Sequence, residues 1–131
     1  MATKVSETER HILCANWLRD TFPTILWLHI PNEGRRSWKE GKRQKAMGLM
    51  AGAADFYLSD GPRTLWVEIK ADDGTQSPSQ AMFERWVVSI GHEYMLAKSL
   101  REFQEIVTAW TDGRKNESAN TQGSEGKSAH H

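Results

Sequence analysis

The sequence predicts a small mixed α/β domain, a central sheet of about four strands flanked by helices in the order α-βββ-α-β-α. Three observations carry that expectation. The chain has 131 residues, the length of one domain with one core. Two runs rich in β-formers, Ala54 to Leu58 and Thr64 to Lys70, flank a short Gly/Pro turn and read as a hairpin. Three further segments carry apolar residues at helical spacing, and each has a serine placed to cap it.

Ser6 to Phe22 reads as the first helix. Ser6 or Thr8 can cap it, early acids suit the positive end of its dipole, and Pro23 ends it. Ile12, Leu13, Trp17 and Leu18 repeat at helical spacing and are expected to face the core. Glu7, His11, Cys14 and Leu18 form a second stripe at i, i+4, i+7 and i+11. Thr24 to Ile30 is β-branched and apolar, a first strand with His29 near its end. After the turn Pro31 to Gly34, the segment Arg35 to Lys45 reads as a loop running into a short helix. Gly48 and Gly52 follow among small residues, where backbone can approach something closely.

Beyond the hairpin, Ala71 to Gln76 is a polar loop. Ser77-Pro78 then opens a helix to about Ile90, with Met82, Phe83, Trp86, Val87 and Ile90 expected inside. Gly91 ends it, and His92 to Ala97 is a short strand. Ser99 caps the last helix, whose stripe is Leu100, Phe103, Ile106, Val107 and Trp110. The domain is thus expected over 1–112. From Gly113 the chain has no apolar residue larger than alanine, so 113–131 is expected to be a disordered tail.

A single cysteine, Cys14, excludes an intrachain disulfide and a multi-cysteine zinc site, and suits a reducing compartment. No apolar run is long enough to span a membrane, and no signal peptide opens the chain, so no membrane partner is expected. Seventeen basic and seventeen acidic residues cancel, so net charge decides nothing about partners. Its distribution says more. Arg35, Arg36, Lys39, Lys42, Arg43 and Lys45 face only Glu33 and Glu40, a local surface fit for phosphates. Trp38 lies among these cations and could stack on a base or pack at a junction.

The chemistry concentrates in the hairpin. Residues two apart on a strand share a face, so Glu68 and Lys70 point one way and Ile69 the other. Asp55 on the neighbouring strand can meet them. Two carboxylates suffice for a magnesium ion that keeps several waters, and lysine can orient a water or neutralise charge on phosphorus. Taken one at a time, these residues also have plainer readings. Glu-x-Lys is common on solvated sheet faces, Glu7 is an ordinary first-turn acid, Gln80 a helix-surface amide, and His11 and His29 ordinary packed histidines.

The blocks taken together are more specific. They are Ser6-Glu7 with Trp17; His29-Ile30-Pro31-Asn32-Glu33-Gly34 with Arg36; Met47-Gly48-Leu49 with Gly52-Ala53-Ala54-Asp55; Val67-Glu68-Ile69-Lys70; and Ser77 to Gln80, with Gly91-His92-Glu93-Tyr94 beyond. In order and spacing, from Glu7 to about Phe103, they resemble the VRR-NUC nucleases, a branch of the PD-(D/E)xK superfamily whose stand-alone phage and bacterial members have this size. The resemblance implies a restriction-endonuclease-like core and a Mg²⁺-dependent endodeoxyribonuclease, with Mn²⁺ able to substitute. It implies Asp55, Glu68, Glu7 and the main-chain carbonyl of Ile69 as metal ligands, Lys70 as the catalytic lysine, and Gln80 near the active site. Asn32, Arg35, Arg36, Lys39, Lys42, Arg43, Lys45, Gly48 and Gly52 are the expected nucleic-acid contacts. Branched DNA of the Holliday-junction type, a homodimer with two active sites, and the cytoplasm of a bacterial or phage-infected cell follow by the same resemblance. Two departures stand out: Ala54 where the family usually has proline, and His11 where relatives often carry glutamine. The alternatives are a flap, nicking or general DNA-degrading nuclease of the same fold, and a non-catalytic DNA-binding module.

Overall fold

A computed structural model describes residues 5–31, 38–48, 50–70 and 74–123, with side chains described for all of these except 38–40, 44 and 114–123. The elements are α1 (Glu7–Thr21), β1 (Leu26–His29), α2 (Trp38–Ala46), β2 (Phe56–Ser59), β3 (Thr64–Ile69), α3 (Pro78–Ser89), β4 (Glu93–Ala97) and α4 (Leu100–Gly123). This is the expected order, with α2 as the short helix of the basic segment.

One four-stranded sheet runs β1-β2-β3-β4. The first three strands are antiparallel neighbours, with Phe56 opposite His29 on one side and Val67 on the other. β4 is parallel to β3, which requires a crossover, and α3 supplies it. Helices cover both faces. Cys14 and Leu18 of α1 and Phe103, Val107 and Trp110 of α4 pack with Phe56, Leu58, Leu65, Val67 and Ile69 on one face. Phe83 and Val87 of α3 pack with Ala53, Ala54 and Tyr94 on the other, with Trp66 at the margin. The alternation of β3 explains the split, since Leu65, Val67 and Ile69 face α1 and α4 while Trp66 faces α3.

The helix starts follow their sequence signals. Ser6 caps α1 and Ser77 caps α3, each in a reciprocal capping box, with Glu9 and Gln80 as the returning side chains. Two inward faces differ from expectation. On α1 the stripe His11, Cys14 and Leu18 is buried, while Ile12 and Leu13 are exposed. On α3 only Phe83 and Val87 are buried, and Met82, Trp86 and Ile90 are exposed. A narrow stripe suffices where a helix lies on a four-stranded sheet, and on α1 position 11 is taken by a polar group that the sheet edge needs. The last stripe is as expected at Phe103, Val107 and Trp110. The helical backbone of α4 continues beyond Gly113 into the stretch read from composition as a tail, and residues 124–131 lie outside the described part.

Candidate active site

The hairpin register builds the site. Asp55 immediately precedes β2, one step beyond the Phe56–Val67 pair, and so lies across from Glu68. Both carboxylates are buried, Asp55 at 5% exposure and Glu68 at 4%. The Ile69 amide donates to Asp55 Oδ2 at 2.8 Å. The Gln80 side-chain amide donates to Glu68 Oε2 at 3.0 Å. Gln80 can do so because its own carbonyl oxygen is fixed by the Ser77 amide at 2.9 Å, in the α3 capping box. Glu68 Oε1 is buried and has no hydrogen-bond partner among the described residues.

Burial pushes the Asp55 carboxyl above its ordinary range, against the pull of the Ile69 amide and the nearby His11. Glu68 is pushed up to about 8, first by burial and then by the charge of Asp55, while Lys70 draws it down. Glu7, exposed at the start of α1, adds negative potential at both carboxyls. Two ionised carboxylates are both acceptors and cannot bond each other, so a proton or a cation must sit between them for both to be comfortable. Among the described residues no three His, Cys, Asp or Glu side chains form a metal cage. The pair with its donorless buried oxygen nonetheless fits a hard divalent cation, which takes one or two carboxylates and keeps the rest of its shell as water. Asp55 and Glu68 would hold it. When bound, it supplies Lewis-acid polarisation of a phosphodiester and acidifies a water.

Three side chains at this edge were not assigned a role from sequence. Arg10 of α1 donates to the Lys70 carbonyl at 3.4 Å, tying the helix to the end of β3. His11 Nε2 lies 3.7 Å from Asp55 Oδ2, and its Nδ1 is 3.0 Å from His29 Nε2. The signal for Arg10 and His11 was the polar stripe that begins at Glu7, since positions 7, 10, 11 and 14 of one helix lie on neighbouring lines of the same side.

The basic segment leaves and re-enters the fold at the same place. The Ile30 amide donates to the Asp55 carbonyl at 2.7 Å, so the chain departs after β1 and returns at Asp55. Within it, Lys42, Arg43 and Lys45 are exposed on α2. Lys39 belongs to α2 without a described side chain, as does Trp38, and Asn32, Arg35 and Arg36 lie outside the described residues. Gly48 and Gly52 both have positive φ, at 98° and 84°. A Cβ on Gly52 would meet the Ser79 carbonyl oxygen at 2.4 Å, so the close approach there is to the first turn of α3. Nothing lies within 4 Å of a Cβ built on Gly48. The Ile69 amide is engaged by Asp55, as above.

No protein-family model matches the chain, and no curated protein matches it. Among solved structures, one described as a VRR_NUC domain protein superimposes with a TM-score of 0.64 at 20% identity, over 82% of this chain and 89% of that one. The chain has the VRR-NUC, restriction-endonuclease-like fold that its motifs implied.

Proposed function

We propose that this protein is a divalent-metal-dependent DNA endonuclease that hydrolyses phosphodiester bonds, selective for branched DNA of the Holliday-junction type. The observation that carries the reading is the buried Asp55–Glu68 pair, whose crowded charge and donorless Glu68 oxygen ask for a cation, with Lys70 just past the end of β3 and close enough to draw the Glu68 carboxyl down. A binding-only module has no use for that arrangement, which burdens the fold until a cation arrives.

In this mechanism Asp55 and Glu68 would hold Mg²⁺, or Mn²⁺ in its place, with Glu7 and the Ile69 carbonyl as the further ligands that the resemblance implies, and the ion would supply Lewis-acid polarisation of the phosphodiester. Gln80 holds Glu68 by Oε2, and Oε1 would be the oxygen offered to the ion. Lys70 orients the attacking water and offsets the charge that grows on phosphorus as water adds and the bridging P–O bond breaks. The attacking water gives up a proton to solvent as it adds, and the leaving oxyanion takes one from solvent. The cations at 35, 36, 39, 42, 43 and 45, with Asn32, Gly48 and Gly52, receive the DNA backbone. A homodimer presents two such sites, each cutting one strand. The exposure of Ile12 (52%) and Leu13 (42%) on α1 supports an interface there.

Purified protein is incubated with a labelled four-way junction, a flap and a linear duplex, with Mg²⁺ and then with EDTA. The junction is expected to be cut first, in paired strands, and only with metal. Cutting of no substrate under any divalent metal sinks the enzyme reading. Linear duplex cut as fast as the junction removes junction selectivity and favours a general DNA-degrading nuclease. A monomer in sedimentation at working concentration removes paired cutting.

A further inference from the structure

The two histidines at the site edge are unexplained by the roles above. His11 sits on the buried stripe of α1 at 6% exposure, with a buried Nε2 that makes no hydrogen bond. Its ring meets His29 edge-on at 5.0 Å, and Phe56 wedges against both, at 6.0 and 5.1 Å. The His11 imidazole cannot swing away without opening the core at Phe56, itself fully buried, and the half-buried His29 ring on the edge strand β1 packs on the same phenylalanine. The pair is therefore aimed.

Its polarity follows from what it is aimed at. Asp55 Oδ2 already accepts from the Ile69 amide, so it presents lone pairs. A bare Nε2 at 3.7 Å would set one lone pair against another in a buried place. An Nε2–H makes the contact attractive. Nδ1 of His11 must then be the acceptor, and His29 Nε2–H the donor across the 3.0 Å bond.

We propose that His29 and His11 form a positioning relay that fixes the Asp55 carboxylate. Oδ2 is held from two sides, by the Ile69 amide and the His11 imidazole, and Oδ1 is left to meet the cation. Within the relay His29 acts through His11. This rests on the metal-dependent reading above. It adds that imidazoles from α1 and β1, which touch neither cation nor DNA, set the geometry of the metal-binding oxygen, as outer-shell partners do in other metal sites.

Cation affinity separates the two readings. Mg²⁺ and Mn²⁺ binding is measured by titration calorimetry on wild type, His11→Leu, His11→Gln, His29→Leu and the double His11→Leu/His29→Leu variant, with thermal unfolding alongside. His11→Leu is expected to weaken binding by about 10-fold or more. His11→Gln keeps an N–H donor and is expected to restore most of the affinity. His29→Leu shows a loss in the same direction, and the double variant is no worse than His11→Leu, because one chain of contacts has already been cut. If His11→Leu does not fold, His29→Leu and His11→Gln still report. Long-range proton–nitrogen NMR on metal-free wild type should show the His11 proton on Nε2. The relay is overturned if that proton sits on Nδ1, if the leucine variants bind cations as wild type does, or if the two losses multiply. If wild type itself binds no divalent cation, the nuclease reading fails and takes the relay with it.

Discussion

The β2–β3 hairpin buries an aspartate near each end, and the two sit in opposite surroundings. At the turn, Asp60 accepts from the Arg63 amide at 3.1 Å and from Arg63 Nε at 3.2 Å. That guanidinium lies 4.6 Å from the centre of the Trp110 ring and donates to the Trp110 carbonyl, while the Trp110 indole donates to Glu93 at 3.0 Å. Every charge there meets its complement. At the open end, Asp55 faces a second buried carboxylate, and an oxygen of that neighbour has no donor. Burial alone marks neither residue as functional. What separates them is whether the protein completes the partner set or leaves room for something else to complete it.

That contrast can be broken from either side. The largest effect is expected from Asp55→Asn. Metal-dependent cleavage should fall roughly a thousandfold, as several kcal/mol of transition-state stabilisation are lost. Yet the metal-free melting temperature should hold or rise, because an amide still accepts from Ile69 and relieves the charge on Glu68. Asp60→Ala should behave in the opposite way. It strands a half-buried arginine, costs about 3 kcal/mol in urea unfolding, and leaves cleavage per folded molecule unchanged. A lowered melting temperature for the first variant, or lost chemistry for the second, would collapse the distinction.

The pH dependence of stability sharpens the same point. Between the ordinary glutamate value of 4.5 and about 8, folded Glu68 keeps a proton that the unfolded chain has released. The native state binds more protons over that window, so its stability falls as pH rises through it, and the raised Asp55 adds in the same direction. Metal-free protein should therefore show a lower urea midpoint at pH 8 than at pH 5. Glu68→Gln should flatten that slope, and Mg²⁺ should raise the midpoint most at pH 8, where it binds ionised carboxylates. The smallest effect concerns the two capping boxes. Gln80→Ala should cost about 1 kcal/mol of stability and also weaken cation binding, since Glu68 Oε2 loses its donor. Glu9→Ala, the same position of the α1 cap, should leave cation binding where it was.

Much of this was legible because it is local. Caps, turn residues and strand alternation act over a few residues, so the hairpin, the serine caps of α1 and α3 and the facing of Asp55 and Glu68 could be read off the chain. The inward faces of α1 and α3 were misread for one physical reason. Apolar residues were assigned to the core, but roughly half of any folded surface is apolar, and the sheet could cover only one narrow stripe. His11 was hidden because its burial is set by Asp55 and His29, partners far away in sequence. Gln80 was expected near the site, but its double duty depends on α3 starting beside β3, which no local signal contains. Gly52 was read as room for phosphate, and its close neighbour proves to be the Ser79 backbone.

The single hydrogen bond from Ile30 to the Asp55 carbonyl has an architectural consequence. It closes residues 31–54 into a ring whose two ends are already paired. A loop closed in this way can change length at little entropic cost, except at Gly52, Ala53 and Ala54, which pack against α3. In the proposed nuclease, the segment that would meet DNA and the carboxylates that would hold the metal thus lie on separate stretches of one chain, joined at this bond.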